Sequence, residues 1–227
     1  MSYLTKEVFN FLNDLSKNNN REWFNENKER YASAHVQVIG FADQLLNEMK
    51  THDDIETISG KKSLFRIYRD VRFSKDKSPY KNHFSGRIAR AGKALRGGYY
   101  FHLEPNNIMI AGGFFEPNKD DLLRIRQEIA ADAQTLRDIL NDPKFIKAFG
   151  SLQGEQLKTA PKGFDKEHPD IDLINYKNFY VVSKFSNQEA LSKDFAQLVS
   201  DRFAVLRPYL DYFSDVLTTD ENGLSII

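Results

Sequence analysis

"GYYFHLEPNNIMIAGGFF", residues 98–115, decides the fold class of this chain. Tyr99, Phe101 and Leu103 alternate with Tyr100, His102 and Glu104, so a strand would send the first three to one face and the second three to the other. "PNN" at 105–107 reverses the chain into a second apolar arm, Ile108 to Phe115. The pair reads as an antiparallel hairpin. Gly112 and Gly113, late in the second arm, predict a bulge or a close backbone approach.

Strand character extends outward from the hairpin over about residues 55–116. "HFSGRIARAGKALRGG", 83–98, reads as another strand and a basic loop, with Gly97 and Gly98 supplying the turn. Further on, "NFYVVSKF", 178–185, reads as a buried strand. Helical spacing governs both ends of the chain. Thr5 caps a first helix with Val8, Phe9, Leu12 and Leu15 on one stripe. Asn19 with Glu22 resembles a capping box opening a second helix, which carries Phe24, Tyr31, Val38, Phe41, Leu45 and Met49. Asn27 falls on its apolar face and needs a partner there. After the sheet, Asn118 caps a helix and "DPKFIKAFG" is a short helix punctuated by Asp142, Pro143 and Gly150. Ser186 with Glu189 opens a long C-terminal helix that Pro208 should kink. The expected architecture is a single α+β domain over 1–227, with helices from both ends packed on a central antiparallel sheet.

The composition is that of a soluble globular protein, with 41% apolar and 28% charged residues among 227. The absence of cysteine excludes disulfides, thiolate catalysis and Cys-ligated metal centres. The opening "MSYLTKEVFNFLNDL" does not resemble a signal peptide, and no apolar run is long enough for a membrane span, so the expected compartment is the cytoplasm. The formal net charge is zero, but residues 61–96 hold twelve Lys or Arg against two acids. That segment is +10 and the remainder −10, which suggests a basic face with an anionic partner or, equally, acidic helices that neutralise it.

The densest part of that segment is "RIYRDVRFSKDKSPYK", 66–81. Read as a strand, it turns Phe65, Ile67, Val71 and Phe73 one way and Arg66, Tyr68, Asp70 and Arg72 the other, leaving Arg69 out of phase; a strand ending near Arg69 resolves the conflict. "SKDKSPYK" then reads as a loop. Arginine forks at Arg66, Arg69 and Arg72, with Lys75, Lys77, Tyr80 and Lys81 following, suit the oxygens of phosphate or carboxylate. The alternative is internal pairing with Asp70, Asp76 or helix acids.

These residues also carry a resemblance. "NNNREWFNENKERY", "RIYRDVRFSKDKSPYK", "GYYFHLEP" and "PKGFDKEHP" together resemble the bacterial family catalogued as domain of unknown function 2461, over nearly the whole chain. Arg66, Arg69, Asp70, Arg72, Phe73, Asp76, Lys77 and Tyr80 match its most specific block. The resemblance implies a single-domain bacterial protein and lends no reaction, cofactor or catalytic residue.

His102 and Glu104 share a strand face and suit either two metal ligands or a base with its orienting partner; a plain polar sheet face is the simpler account, and no metal is assigned. His83 and Glu116 are candidates to join them. No phosphate loop, nucleophile elbow or dinucleotide fingerprint occurs. Three functions follow, in this order. The first is a site for a phosphorylated small molecule or nucleotide, with Asp70 and His102 as its catalytic candidates, His102 as the acid–base group and Asp70 orienting an arginine. The second is a nucleic-acid-binding module using residues 61–96. The third is a non-enzymatic module docking an acidic protein.

Overall fold

The computed structural model describes residues 4–220 and 222–227; the first three residues of the stretch read for a leader lie outside it. In chain order the elements are α1 (Lys6–Lys17), α2 (Arg21–Glu26), α3 (Lys28–Met49), α4 (Gly60–Ser63), β1 (Phe84–Ala89), β2 (Gly98–Leu103), β3 (Ile108–Phe114), α5 (Lys119–Ala131), α6 (Gln134–Asn141), α7 (Pro143–Phe149), α8 (Ile171–Ile174), β4 (Phe179–Phe185), α9 (Asn187–Ala190) and α10 (Phe195–Thr218). The strands form one antiparallel sheet in the order β1-β2-β3-β4, so the fold is α+β. No described helix is long and apolar enough to cross a membrane.

The chain packs as two compact units. One comprises the described residues up to Ile88 with Tyr100–Ile110 and Lys184–Asp201; the other comprises Ala89–Tyr99, Ala111–Ser183 and the described residues from Arg202 onward. In the first, α1 buries Val8, Phe9, Phe11, Leu12 and Leu15, the stripe its spacing predicts. α3 buries Phe41 between Phe101, met edge-on at 5.7 Å, and Phe195, stacked at 5.2 Å. Each ring removed from water contributes about 1.5–3 kcal/mol. α4 lies so close to α3 that a Cβ on Gly60 would stand 2.4 Å from the Ile39 carbonyl oxygen, which admits only glycine.

In the second unit the core gathers on α10. Phe213 contacts Phe114 at 5.3 Å, Phe179 at 5.5 Å and Tyr209 at 4.9 Å. The close approach predicted at the two glycines is present: Gly113 adopts φ 125°, and a Cβ there would lie 2.3 Å from the Phe179 carbonyl oxygen. Arg90 is buried, with an ion pair to Asp211 and a 3.3 Å hydrogen bond to the Ser214 hydroxyl.

Four local expectations are corrected. The strand structure expected from residue 55 starts only at Phe84; before it, Leu64 and Tyr68 make isolated bridges to Gly86 and Tyr80. The cap of the second helix is Asn20, which accepts from Trp23 N–H at 2.9 Å, because Asn19 is used elsewhere. That helix is not continuous: Asn27 interrupts it and donates its amide back to the Trp23 carbonyl at 2.9 Å, which answers the buried-amide problem. At the C-terminus, the Ser186–Glu189 capping box opens only the one-turn α9, and α10 begins separately at Phe195 with Pro208 inside it.

Candidate functional site

All the residues of the predicted anion block fall in the first unit, but they divide into two groups. Arg69, Asp70, Arg72, Asp76 and Lys77 tie a loop to itself. Arg69 pairs with Asp76 and donates to the Ser78 carbonyl at 3.3 Å. Arg72 grips Asp70 through Nε at 3.0 Å and Nη2 at 2.6 Å, and Lys77 donates to the Val71 carbonyl at 2.9 Å. Both acids are held below the usual carboxylate range: Asp76 by hydrogen bonds from the Ser78 side chain and backbone and then from Arg69, Asp70 chiefly by Arg72. Asp70 is therefore a counter-ion that orients the Arg72 guanidinium. Lys75 is exposed on the same loop, and Phe73 at its tip is 97% exposed.

Tyr80 is turned inward. It is 4% exposed and its ring stacks on Phe24 at 4.0 Å. Its backbone is held by Asn19, whose amide donates to the Tyr80 carbonyl at 2.9 Å and accepts from the Tyr80 N–H at 3.1 Å. The pair imitates a strand bridge, and it is why Asn19 does not cap α2.

The other group meets a polar sheet face. Lys81, His83 and Ser85 recur at every second position into β1, as Tyr100, His102 and Glu104 do on β2. A period of two places each trio on one face. Across the strands the His83 and His102 rings lie 4.1 Å apart. His102 is buried, with Nδ1 3.0 Å from the Tyr100 hydroxyl and Nε2 3.1 Å from Glu104 Oε2. Glu104 also accepts from the side-chain amides of Asn82 and Asn107. The Lys81 ammonium sits 5.4 Å from the Phe65 ring centroid, and the Tyr100 ring 6.5 Å from the same ring.

The electrostatics follow from burial and crowding. Burial pushes His83 down to about 4, reinforced by the neighbouring His102 and Lys81 and opposed by Glu104. Burial and then the Arg66 charge lower Lys81. For Glu104 burial works upward, but hydrogen bonds from Asn107 and His102, with the histidine charges, outweigh it and keep the carboxyl low. An ionised Glu104 only accepts, so Nε2 of His102 carries the proton and Nδ1 faces the Tyr100 hydroxyl.

The structure thus brings Lys81 and His102 onto one face, joins them with His83, and places Arg66 where its charge reaches Lys81. It leaves Arg69, Arg72 and Lys77 in the loop network, while Glu116 is exposed on the second unit. Tyr100 and Ser85 were missed in the sequence; the alternation of Lys81, His83 and Ser85 was the signal that would have found the face. Among the described residues no group of three or more His, Asp or Glu is placed to hold a metal ion.

A family model described as "Conserved hypothetical protein (DUF2461)" matches residues 7–212. No curated protein and no solved structure matches the chain.

Proposed function

The chain belongs to the DUF2461 family, and we propose that it binds a phosphate-bearing small molecule or nucleotide through Lys81 and His83, on the sheet face they share with Tyr100 and His102, with Arg66 beside it. One observation carries this reading. Arg66 and Lys81 make no ion pair with any described residue, whereas Arg69 and Arg72 in the adjoining loop do. The charged forms of Lys81 and His83 are disfavoured by burial and by neighbouring cations. A phosphate dianion relieves that repulsion and accepts hydrogen bonds from ammonium and guanidinium together. Binding therefore draws a proton onto His83.

The test is calorimetric titration of the full chain with inorganic phosphate and with AMP. Wild type is expected to bind, and the Arg66→Ala, Lys81→Ala double variant to bind at least tenfold more weakly, about 1.4 kcal/mol. A double variant that keeps its fold and wild-type affinity refutes the reading, as does a wild type that binds neither ligand.

A second reading, a nucleic-acid-binding module, is favoured by the loop tip. Phe73 is 97% exposed with the Arg72 guanidinium 5.9 Å from its ring centroid, a platform on which an unpaired base stacks. Against it, two cations of the wider basic segment are committed elsewhere, Arg90 to Asp211 and Arg96 to Asp121. Anisotropy with a labelled single-stranded oligonucleotide decides. The module predicts affinity that falls steeply between 50 and 200 mM salt, by roughly tenfold or more for a few phosphate contacts, and that drops in Phe73→Ala.

A further inference from the structure

The hydrogen-bonded line through Tyr100 does more than satisfy a buried histidine. Both ring nitrogens of His102 are occupied, Nε2 by Glu104 at 3.1 Å and Nδ1 by the Tyr100 hydroxyl at 3.0 Å, and the ring is buried. His102 therefore has no nitrogen to offer a ligand. Glu104 is likewise engaged, by Asn82, Asn107 and His102. Tyr100 is the half-buried member of the line; its hydroxyl bonds Ser85 as well as His102, and its ring borders Phe65, the ring under the Lys81 ammonium.

We propose that the Tyr100 hydroxyl is the proton-transfer group of the phosphate site, with His102 and Glu104 as the positioning pair behind it, and that the chemistry they serve is attack of water on phosphorus. This rests on the phosphate-binding reading and adds a reaction to it. Carboxylate, imidazole and hydroxyl in line is the arrangement that lets a weakly acidic hydroxyl give up its proton at neutral pH, here with a phenol in the outer position. Burial and the Glu104 charge hold the Tyr100 phenol protonated at rest, while a hydrogen bond with Ser85 works toward the phenolate.

The step balances without any further reagent. Attacking water gives a proton to Tyr100 Oη as the phenolic proton moves to His102 Nδ1. The imidazolium so formed lies against the Glu104 carboxylate. The water oxygen forms a bond to phosphorus, and the opposite P–O bond breaks with its electron pair going to the departing oxygen. That oxygen takes its proton from solvent, and His102 returns its own through Tyr100 to solvent, which restores the resting state. With an ester the products are an alcohol and phosphate; with phosphate itself they are water and phosphate, so the site should exchange phosphate oxygens with solvent.

Inorganic phosphate is therefore a sufficient probe. Oxygen-18-labelled phosphate is incubated with the full chain in ordinary water, and loss of label is followed by the isotope shift in phosphorus NMR. Wild type is expected to exchange label well above the protein-free rate. Tyr100→Phe is expected to lower that rate about 100-fold or more at saturating phosphate, the usual scale for general acid–base catalysis. His102→Gln should lower the rate too, and the long-range nitrogen couplings of wild-type His102 should report a proton on Nε2. If phosphate binds but its label is never lost, or if Tyr100→Phe exchanges as fast as wild type, the catalytic inference is overturned and the binding reading stands. If phosphate does not bind at all, both fall.

Discussion

Acidification should weaken the fold through one side chain, His83. Its imidazole is held at about 4 against an ordinary 6.5, burial being the main cause. Above pH 6.5 the ring is neutral in both the folded and the unfolded chain, so it contributes its full stability. Between 6.5 and about 4 the unfolded chain takes up a proton that the folded chain refuses, and stability drains away with every step down. At about 1.4 kcal/mol per pH unit the whole interval sets an upper bound of about 3.4 kcal/mol. The ring is only half-buried, so solvent screening reduces this to about 1.5–2 kcal/mol. The groups facing the ring are His102, Glu104 and Lys81, and all three remain when His83 is replaced by the neutral amide of His83→Gln. The assay is urea unfolding followed by circular dichroism from pH 7.5 down to 4. Wild type should lose about 1.5–2 kcal/mol more than His83→Gln across that range. Parallel profiles would refute the reasoning, and a wild type that loses less than the variant would reverse its sign.

Three further outcomes are expected. Gly113→Ala forces a side chain into φ 125° against the Phe179 carbonyl, and should cost about 3 kcal/mol, read as a fall in Tm. Asp211→Ala leaves the Arg90 guanidinium buried without its carboxylate; since Asp211 is partly exposed, the loss should be about 2–3 kcal/mol in denaturant unfolding, and Arg90→Met should recover part of it in the double variant. Asn19→Ala removes both hydrogen bonds to the Tyr80 backbone and should cost about 1–2 kcal/mol, with faster amide exchange at Tyr80.

How far each feature could be foreseen depended on the range of the interaction that fixes it. The 98–115 hairpin was legible because its alternation and its turn are written within eighteen residues. The caps at Asn118 and Asp142 were legible for the same reason. The out-of-phase Arg69 was also a sound warning: the segment forms bridges rather than a strand, and its guanidinium finds Asp76 seven residues on. Asn19 misled because its partner, Tyr80, lies 61 residues away, and Asn20 was equally fit to cap. Arg90 looked like surface charge because nothing near it in sequence announces Asp211, 121 residues later. In the site, His102 was visible by its spacing from Glu104, but its role was not. Spacing does not tell that both of its nitrogens are spoken for, one by Glu104 and the other by the phenol two residues earlier.

The loop between Arg69 and Ser78 brings its own counter-ions, Asp76 on Arg69 and Asp70 on Arg72. Seen from one Debye length away, about 8 Å in physiological salt, those pairs cancel and the loop's far field is that of its few unmatched cations. The +10 of residues 61–96 already counts both acids, so the pairing leaves the segment's net charge as it was and withdraws Arg69 and Arg72 as individual ligands. A polyanion steered by that surplus meets, on contact, two guanidinium forks already closed on carboxylates, so attraction at a distance and recognition at the surface rest on different cations.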